Sequence, residues 1–122
     1  MAEFLFGPSF DGLTRALTLY QRRHEVLASN IANVETPGYR AKELDFQGAL
    51  KAAFDQEREK DLALPDPKVV DDPNAPSRAD GSTVDVDLQM TKLAGNGTSY
   101  LALSRILAKK LAGLRSAIEG VR

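Results

Sequence analysis

The chain has 122 residues, of which 27% are charged and 43% hydrophobic, and its formal net charge is −1 at neutral pH. This length allows one domain at most, and such a balanced charge gives no basic surface of the kind that binds nucleic acid. The absence of cysteine excludes disulfides, thiol catalysis and thiolate metal sites.

The N-terminal third is predicted to form one amphipathic helix from about Ser9 to Asn33. Its apolar residues recur at alternating steps of four and three, which is the spacing of a heptad seam. Ser9 suits the N-cap, and Asp11 lies in the first turn, where the helix dipole favours a negative charge. The candidate interface residues on this helix are Leu13, Leu17, Tyr20, Leu27 and Ile31.

The segment after this helix combines a helix end with a tight turn. We expect Asn33 to close the helix in a left-handed conformation. Thr36 precedes a proline and is therefore biased towards an extended conformation, and Pro37-Gly38 suits the centre of a type II turn that fixes the direction of Tyr39. The candidate residues of this turn motif are Asn30, Asn33, Thr36, Pro37, Gly38 and Tyr39.

The middle of the chain is predicted to be loose. Phe46, Leu50 and Phe54 are four residues apart, which indicates a short amphipathic helix. Residues 56–81 contain a charged run followed by a proline-rich acidic stretch, so we predict a flexible loop there. Residues 43–87 carry a net charge of −7 and residues 88–122 a net charge of +5. This asymmetry fits attraction between subunits, and it fits ordinary solvated surfaces equally well.

The C-terminal third repeats the four-three spacing and predicts a second, longer helix from Ser82 or Thr83 to about Glu119. Ser82 followed three residues later by Asp85 resembles a capping box. At 1.5 Å per residue the second helix would be about 55 Å long and the first about 37 Å, so the longer helix needs apolar cover from another subunit. Its candidate interface residues are Met90, Leu93, Tyr100, Leu107, Leu111, Leu114 and Ile118.

These elements predict an all-α fold in which long N- and C-terminal helices form a coiled-coil-like hairpin with a flexible, acidic, proline-rich middle. We divide this single structural domain into three parts: residues 1–42 with the N-terminal helix and the turn motif, residues 43–81 with the short amphipathic segment and the flexible loop, and residues 82–122 with the C-terminal heptad helix. No segment is apolar and long enough for a transmembrane helix, and the N-terminal apolar run is too short for a cleaved secretory signal.

Residues that could perform catalysis are scarce. His24 is the only histidine, and it lies on the heptad seam, where a lone histidine is usually structural. No nucleophile motif, phosphate-binding loop or pair of histidine ligands is present, and Asp85 and Asp87 suit helix capping better than acid-base chemistry. We therefore predict that the protein is not an enzyme and that it uses no cofactor, no metal and no small-molecule substrate.

Two blocks of sequence carry a family resemblance. Residues 26–42, VLASNIANVETPGYRAK, resemble the N-terminal signature of the bacterial flagellar rod and hook protein family. Residues 80–90, DGSTVDVDLQM, together with Tyr100 and LRSAI at 114–118, are similar to the C-terminal half of the proximal rod members of that family. Two positions depart from the usual pattern, because Glu35 replaces an aspartate and Gln89 replaces the more frequent glutamate.

The resemblance implies a structural protein of the flagellar basal body that self-associates and forms the proximal rod, part of the axial drive shaft for motility. The implied partners are copies of the same chain, other rod proteins, the adapter at the rod base, the membrane ring and the export gate. The resemblance further implies export without a cleaved signal peptide by the flagellum's type III secretion apparatus, and a rod that spans the periplasm. Composition alone would indicate the cytoplasm.

The resemblance also gives the turn motif a role, because it implies that the amides of Asn30 and Asn33, with Thr36, Tyr39 and Arg40, bond the backbone or a neighbouring subunit at the bend. A different class of function stays open on the sequence. A soluble helical-hairpin regulator or chaperone would also use a long apolar seam, in that case to bind one partner helix.

Overall fold

The computed structural model describes residues 8–54 and 67–120, most of which are helical. In chain order the elements are helix α1 (Pro8–Ala32), strand β1 (Lys42–Leu44), helix α2 (Phe46–Ala53), strand β2 (Val69–Asp71) and helix α3 (Val86–Glu119). In the described ranges no helix has both the length and the apolar character needed to cross a membrane. The predominance of helix agrees with the predicted all-α class.

Helix α1 has bounds within one residue of the prediction at each end. It begins at Pro8, where a proline is favoured because the first turn leaves its N–H groups unpaired in any case. Ser9 therefore lies inside the helix rather than at its N-cap. Asp11 occupies the first turn, as predicted, where its charge opposes the positive end of the helix dipole.

Helix α3 begins at Val86, later than predicted, and ends at Glu119. Its N-cap is Asp85, whose backbone is extended and whose carboxylate accepts a hydrogen bond from the Leu88 N–H at 3.2 Å. The predicted capping box at Ser82 is wrong. Ser82 is buried, and its hydroxyl instead accepts a hydrogen bond from the Val84 N–H at 3.3 Å.

A two-stranded antiparallel ribbon, which the sequence did not predict, connects the two halves of the chain. Lys42 of β1 lies opposite Asp71 of β2, and Leu44 lies opposite Val69. A backbone hydrogen bond from the Asp72 N–H to Ala41 O, at 2.8 Å, continues the pairing at one end of the ribbon. The flexible loop predicted for 56–81 is therefore wrong at residues 69–71, which pair with β1 as a strand. Residues 55–66 lie outside the described ranges.

The predicted short amphipathic helix corresponds to α2, and Phe54 is its C-cap residue. Helix α1 contacts α2, β1 and α3, so it is the central element of the molecule. The buried apolar residues are few and mostly small or medium in size, and they concentrate where these elements meet. They are Leu13, Ala16, Leu19, Leu27, Ala41, Leu44, Ala53 and Val84.

Candidate functional site

The turn motif adopts the predicted type II turn. The Tyr39 N–H donates to the Thr36 carbonyl at 3.2 Å, which closes the four-residue turn. Gly38 takes a φ of 74°, the positive angle that this turn type requires at its third position. The turn therefore sends Tyr39 and the following residues towards β1.

A second glycine turn, spanning Arg78–Gly81, packs against the first one. Gly81 has a φ of 81°, and an added Cβ on it would lie 3.7 Å from the Cα of Gly38. The Gly38 N–H donates to Asp80 O at 3.2 Å, and the Thr83 N–H donates to Tyr39 O at 2.9 Å. We call residues 36–41 with residues 78–83 the turn junction, because these bonds join the end of the N-terminal third to the start of the C-terminal third.

Arg78 ties the turn junction to the end of α1. Its Nη2 donates to the Val34 carbonyl at 2.6 Å and forms an ion pair with Asp80 at 3.3 Å. The Ser82 backbone N–H, and then Arg78, hold the pKa of the Asp80 carboxyl below its usual value. The Arg78 side chain thus links its own turn to the end of α1, 44 residues earlier in the sequence.

Asn30 is fully buried, and its side-chain amide binds the backbone of β1. Its Nδ2 donates to Lys42 O at 2.8 Å, and its Oδ1 accepts from the Lys42 N–H at 2.9 Å. The same Nδ2 donates to Oε1 of Gln89 on α3 at 2.9 Å. Asn30 therefore joins α1, β1 and α3 at a single point, in line with the backbone-binding role that the family resemblance implies.

Asn33 does not adopt the left-handed conformation that we predicted, since no non-glycine residue in the described ranges has a positive φ. Its Nδ2 instead donates to Ser29 O at 2.8 Å, and its Oδ1 accepts from the Thr36 hydroxyl at 3.3 Å. The prediction is wrong because the side chain itself satisfies a carbonyl of the last helical turn, so the backbone can leave α1 without a left-handed residue.

An ion network lies next to the Asn30 contacts. The Arg23 guanidinium binds Glu43 with two hydrogen bonds of 3.0 and 3.3 Å, and it stacks 5.0 Å from the centre of the Phe46 ring. Nζ of Lys92 contacts Glu43 at 3.2 Å and Asp72 at 2.6 Å. These four charged groups connect α1, β1, the end of β2 and α3.

The network shifts the pKa values of its members. Burial alone would raise the pKa of Glu43, but the hydrogen bonds and charge of Arg23 outweigh it and hold the pKa below its usual value. Burial likewise opposes the lowered pKa of Asp72, for which Lys92 is the main cause. For Lys92 burial acts in the opposite direction, and the carboxylates of Asp72 and Glu43 raise its pKa in spite of it.

These shifts predict that the chain loses stability in acid. A carboxylate whose pKa is lower in the folded state contributes stability above its unfolded pKa, and this contribution disappears as the pH falls through the folded pKa. We therefore expect the free energy of unfolding, measured by urea denaturation, to fall between about pH 5 and about pH 2. Lys92 itself stays protonated throughout this acidic window, so the loss comes from protonation of its carboxylate partners.

Lys92→Met should flatten this pH dependence, because Asp72 then loses its cation and Glu43 keeps only Arg23. The matched control is Lys110→Met, which removes an exposed lysine that forms no ion pair in the described part of the chain. If urea denaturation gave the same pH dependence for both variants, the network would not be a source of the acid sensitivity.

The predicted interface residues have very different environments. On α1, Leu13 and Leu27 are buried, whereas Leu17, Tyr20 and Ile31 are half-buried. On α3, Leu93, Leu107 and Leu114 are half-buried, whereas Met90, Tyr100, Leu111 and Ile118 are exposed.

The buried face of α3 is shifted by one residue from the predicted seam near its start. Met90 is 52% exposed, whereas its neighbour Gln89 is fully buried against Asn30. Asn96, seven residues after Gln89, is also buried and donates from Nδ2 to Tyr20 O at 2.9 Å. The hydrophobic pattern selected Met90 because it cannot recognise a polar amide that is buried against a hydrogen-bond partner on another helix.

Several residues of the site escaped the sequence reasoning, namely Arg23, Glu43, Asp72, Arg78, Gln89, Lys92 and Asn96. The usable signal was the pair of amides at positions 89 and 96. Two amides one heptad apart, on a helix that must face Asn30 of another helix, indicate a polar seam. The charged residues among them gave no such signal, because isolated charges in a sequence usually indicate solvent-exposed positions.

The second half of α3 presents an apolar stripe to its surroundings. Leu107, Leu111, Leu114 and Ile118 follow the four-three spacing, so they share one face of the helix. Leu111 is 43% exposed and Ile118 is 65% exposed. We call these four residues the α3 stripe. The α3 stripe is more exposed than the same face in the first half of α3, which contacts α1.

Comparison with known proteins gives a consistent family assignment for this arrangement. A family model described as "Flagella basal body rod protein" matches residues 12–40, which include most of α1 and the type II turn. The chain is 34% identical to the flagellar basal body rod protein FlgB of Aeromonas hydrophila, with 94% of this chain and 96% of that protein covered. It is 31% identical to FlgB of Bacillus subtilis, with 95% and 97% covered, and 34% identical to FlgB of Salmonella typhimurium, with 86% and 88% covered.

Proposed function

Because the chain belongs to the flagellar basal body rod protein family and is a structural component of the basal body rod, we propose that it builds the proximal part of that rod by packing α1 and α3 against neighbouring subunits. The rod is part of the machinery of motility. The relatives of this chain are named as structural rod proteins, not as enzymes. The contacts described above hold helices in position.

The α3 stripe is the observation that carries this proposal. Helix α3 has 34 residues and α1 has 25, which correspond to about 51 Å and about 37 Å. Exposed apolar side chains at regular helical spacing gain free energy when another helix covers them. Within the described residues α3 is longer than α1, and another subunit would cover the surplus apolar surface.

The turn junction supports the same proposal because it fixes the position of α1 relative to α3. Asn30 binds both β1 and α3. In the turn junction, backbone hydrogen bonds join residues 78–83 directly to residues 36–41. We propose that residues 1–42 and 82–122 form the packing unit of the rod and that residues 43–81 close the hairpin between them.

The proposed partners are copies of this chain, other flagellar rod proteins, the adapter at the rod base, the membrane ring and the export gate. The proposed location is the rod across the periplasm, reached by type III export without a cleaved signal peptide. A modest buried core, made mostly of small and medium side chains, suits a subunit that gains much of its apolar cover from neighbours.

Leu111→Asp tests the α3 stripe as an interface. Leu111 is largely exposed within one copy, so the change should leave the isolated chain folded, whereas in the rod it would bury a carboxylate without a partner. We expect swimming in soft agar to be lost and the amount of this protein in purified basal bodies to fall at least about tenfold, which corresponds to about 1.4 kcal/mol.

Ala112→Asp is the matched control, because Ala112 is also exposed but lies on a different face of α3 from Leu111. It should enter basal bodies and support swimming. Recovery of Leu111→Asp in basal bodies at the level of Ala112→Asp would contradict the role of the α3 stripe.

A further inference from the structure

A groove of about 510 Å³ runs beside the contact of α1 and α3. Its principal lining residues are Tyr20, His24 and Glu25 of α1 and Gly97, Tyr100 and Leu101 of α3. We propose that this α1–α3 groove receives the second half of α3 from another copy of the chain. The proposal rests on the proposed rod function and names the surface that one subunit offers to the next.

Besides the polar side chains of Gln21 and His24, the groove contains two acceptors without a partner among the described residues, the Asn96 amide oxygen and the Glu25 carboxylate. Asn96 also lines it and is 2% exposed; its Nδ2 is bound to Tyr20 O, but its Oδ1 has no hydrogen-bond partner in the described structure. Glu25 lies at the exposed side of the groove and forms no ion pair with any described residue. The rest of the lining is largely apolar. An occupant should therefore combine apolar side chains with cationic donors.

The second half of α3 has this composition. Lys110 is exposed, forms no ion pair within residues 8–54 and 67–120, and flanks the α3 stripe beside Leu107 and Leu114. The α3 stripe supplies the apolar side chains. Glu119, the only acidic residue after Asp87, is already paired with Arg115 at 3.0 Å. The charge of Lys110 at the edge of the stripe is therefore complementary to the carboxylate of Glu25.

The acidic middle of the chain is a poorer occupant. Residues 43–87 carry a net charge of −7, so they would bring further carboxylates towards Glu25. The exposed Asp71 is also already engaged by Lys42 and Arg40. Repulsion and prior pairing thus disfavour that segment as the partner of the groove.

The two surfaces lie at different heights on the same helix. Gly97 in the groove and Leu111 in the α3 stripe are 14 residues apart, about 21 Å along α3. Contact between the stripe of one copy and the groove of the next is therefore heterologous. Such a contact leaves a free groove and a free stripe at the two ends of any row of copies, so it produces an open filament when its rotation does not close a ring, and never a closed pair.

Gly97→Leu tests the groove without disturbing the single subunit. An added Cβ at Gly97 meets no atom within 4 Å, so a leucine side chain would occupy the groove itself. The purified variant should keep its helical circular dichroism and melt at the same temperature as the natural chain or higher, because leucine favours helix over glycine. In cells it should fail to support swimming and be at least tenfold reduced in purified basal bodies.

Gly95→Leu is the matched control. An added Cβ at Gly95 also meets nothing within 4 Å, and the residue is exposed but does not line the groove. This variant should support swimming and enter basal bodies at the natural level. Normal swimming of Gly97→Leu, or equal loss in the two variants, would overturn the groove as the docking surface.

Site-directed cysteines identify the occupant, since the natural chain has none. Cells would express one copy with Gln21→Cys, at the groove, together with a second copy with Leu111→Cys, in the α3 stripe. After mild oxidation, purified basal bodies should contain a disulfide-linked dimer at a level at least tenfold above that of the pair Gln21→Cys and Ala112→Cys. Each variant expressed alone should give no comparable dimer.

The possible failures separate the two proposals. If the cysteine variants enter basal bodies but Leu111→Cys links only to itself, or links to Gln21→Cys no better than Ala112→Cys does, the groove inference is wrong and the rod function stands. If the natural chain is absent from purified basal bodies, both are wrong. A strong link between position 21 and a different rod protein would assign the groove to that partner and overturn the second copy as its occupant.

Discussion

Replacement of Asn30 by leucine is expected to lower the free energy of unfolding by about 3 kcal/mol or more and to abolish swimming. Leucine has the same branched shape with bulkier methyl groups, so no cavity forms and the loss comes mainly from hydrogen bonding. Ala41 pairs with Asp72 across the ribbon, and strand alternation therefore points the peptide groups of Lys42 away from β2. Asn30 binds both of these groups, and without it they remain buried and unpaired.

Gln89 increases the expected effect of this change. Its Oε1 accepts from Asn30, and its Nε2 is already buried without a hydrogen-bond partner among the described residues. Leucine at position 30 would leave the entire Gln89 amide unsatisfied on the buried face of α3. Urea denaturation of the purified chain measures the stability loss, and soft-agar swimming measures the consequence for function.

Asn33→Leu is the control for this prediction. Asn33 is half-buried and its side chain binds only Ser29 O and the Thr36 hydroxyl, so we expect a loss of about 1 kcal/mol. Equal effects of the two substitutions would show that the buried amide at position 30 has no special role in the fold.

Gly38→Val is the second change for which we expect a severe effect. A Cβ at this position meets no atom within 4 Å, so there is room for a side chain in the subunit. The φ of 74° is the obstacle, because a β-branched residue strongly disfavours it. The strain should cost about 1–3 kcal/mol or drive the turn into another conformation.

A changed turn would break the turn junction, since the Gly38 N–H binds Asp80 O and Tyr39 O accepts from Thr83. We therefore expect normal expression of Gly38→Val, no swimming, and little of the protein in purified basal bodies. Gly38→Asn provides the control, because asparagine tolerates this backbone region far better than valine does. It should retain most of the swimming. Loss with both variants would indicate that the backbone angle is not the decisive property.

The parts of the fold set by local chemistry were predictable from the sequence. The type II turn follows from Thr36-Pro37-Gly38-Tyr39 because only a few residue types tolerate its angles. The bounds of α1 and the position of α2 follow from helical periodicity and small capping preferences. Each of these features depends on residues that are close together along the chain.

The parts that were missed depend on partners far away in the sequence. Gln89 belongs to the buried face of α3 only because Asn30, 59 residues earlier, offers it a hydrogen bond. Strand β2 forms because β1 supplies an edge, and nothing within Val69–Asp71 identifies that edge. The helix begins after Asp85 rather than after Ser82, because the Thr83 N–H is bound to Tyr39 O in the turn junction.

The distance along the chain between these partners also sets the order of folding. The contacts of Asn30 with Gln89, and of Glu43 with Lys92, have high contact order, so they close only after a large loss of chain entropy. A nascent polypeptide that ends before Gln89 can form α1 and the type II turn, but neither of these cross-links. The subunit therefore cannot form these stabilising long-range contacts until about three quarters of the polypeptide is available.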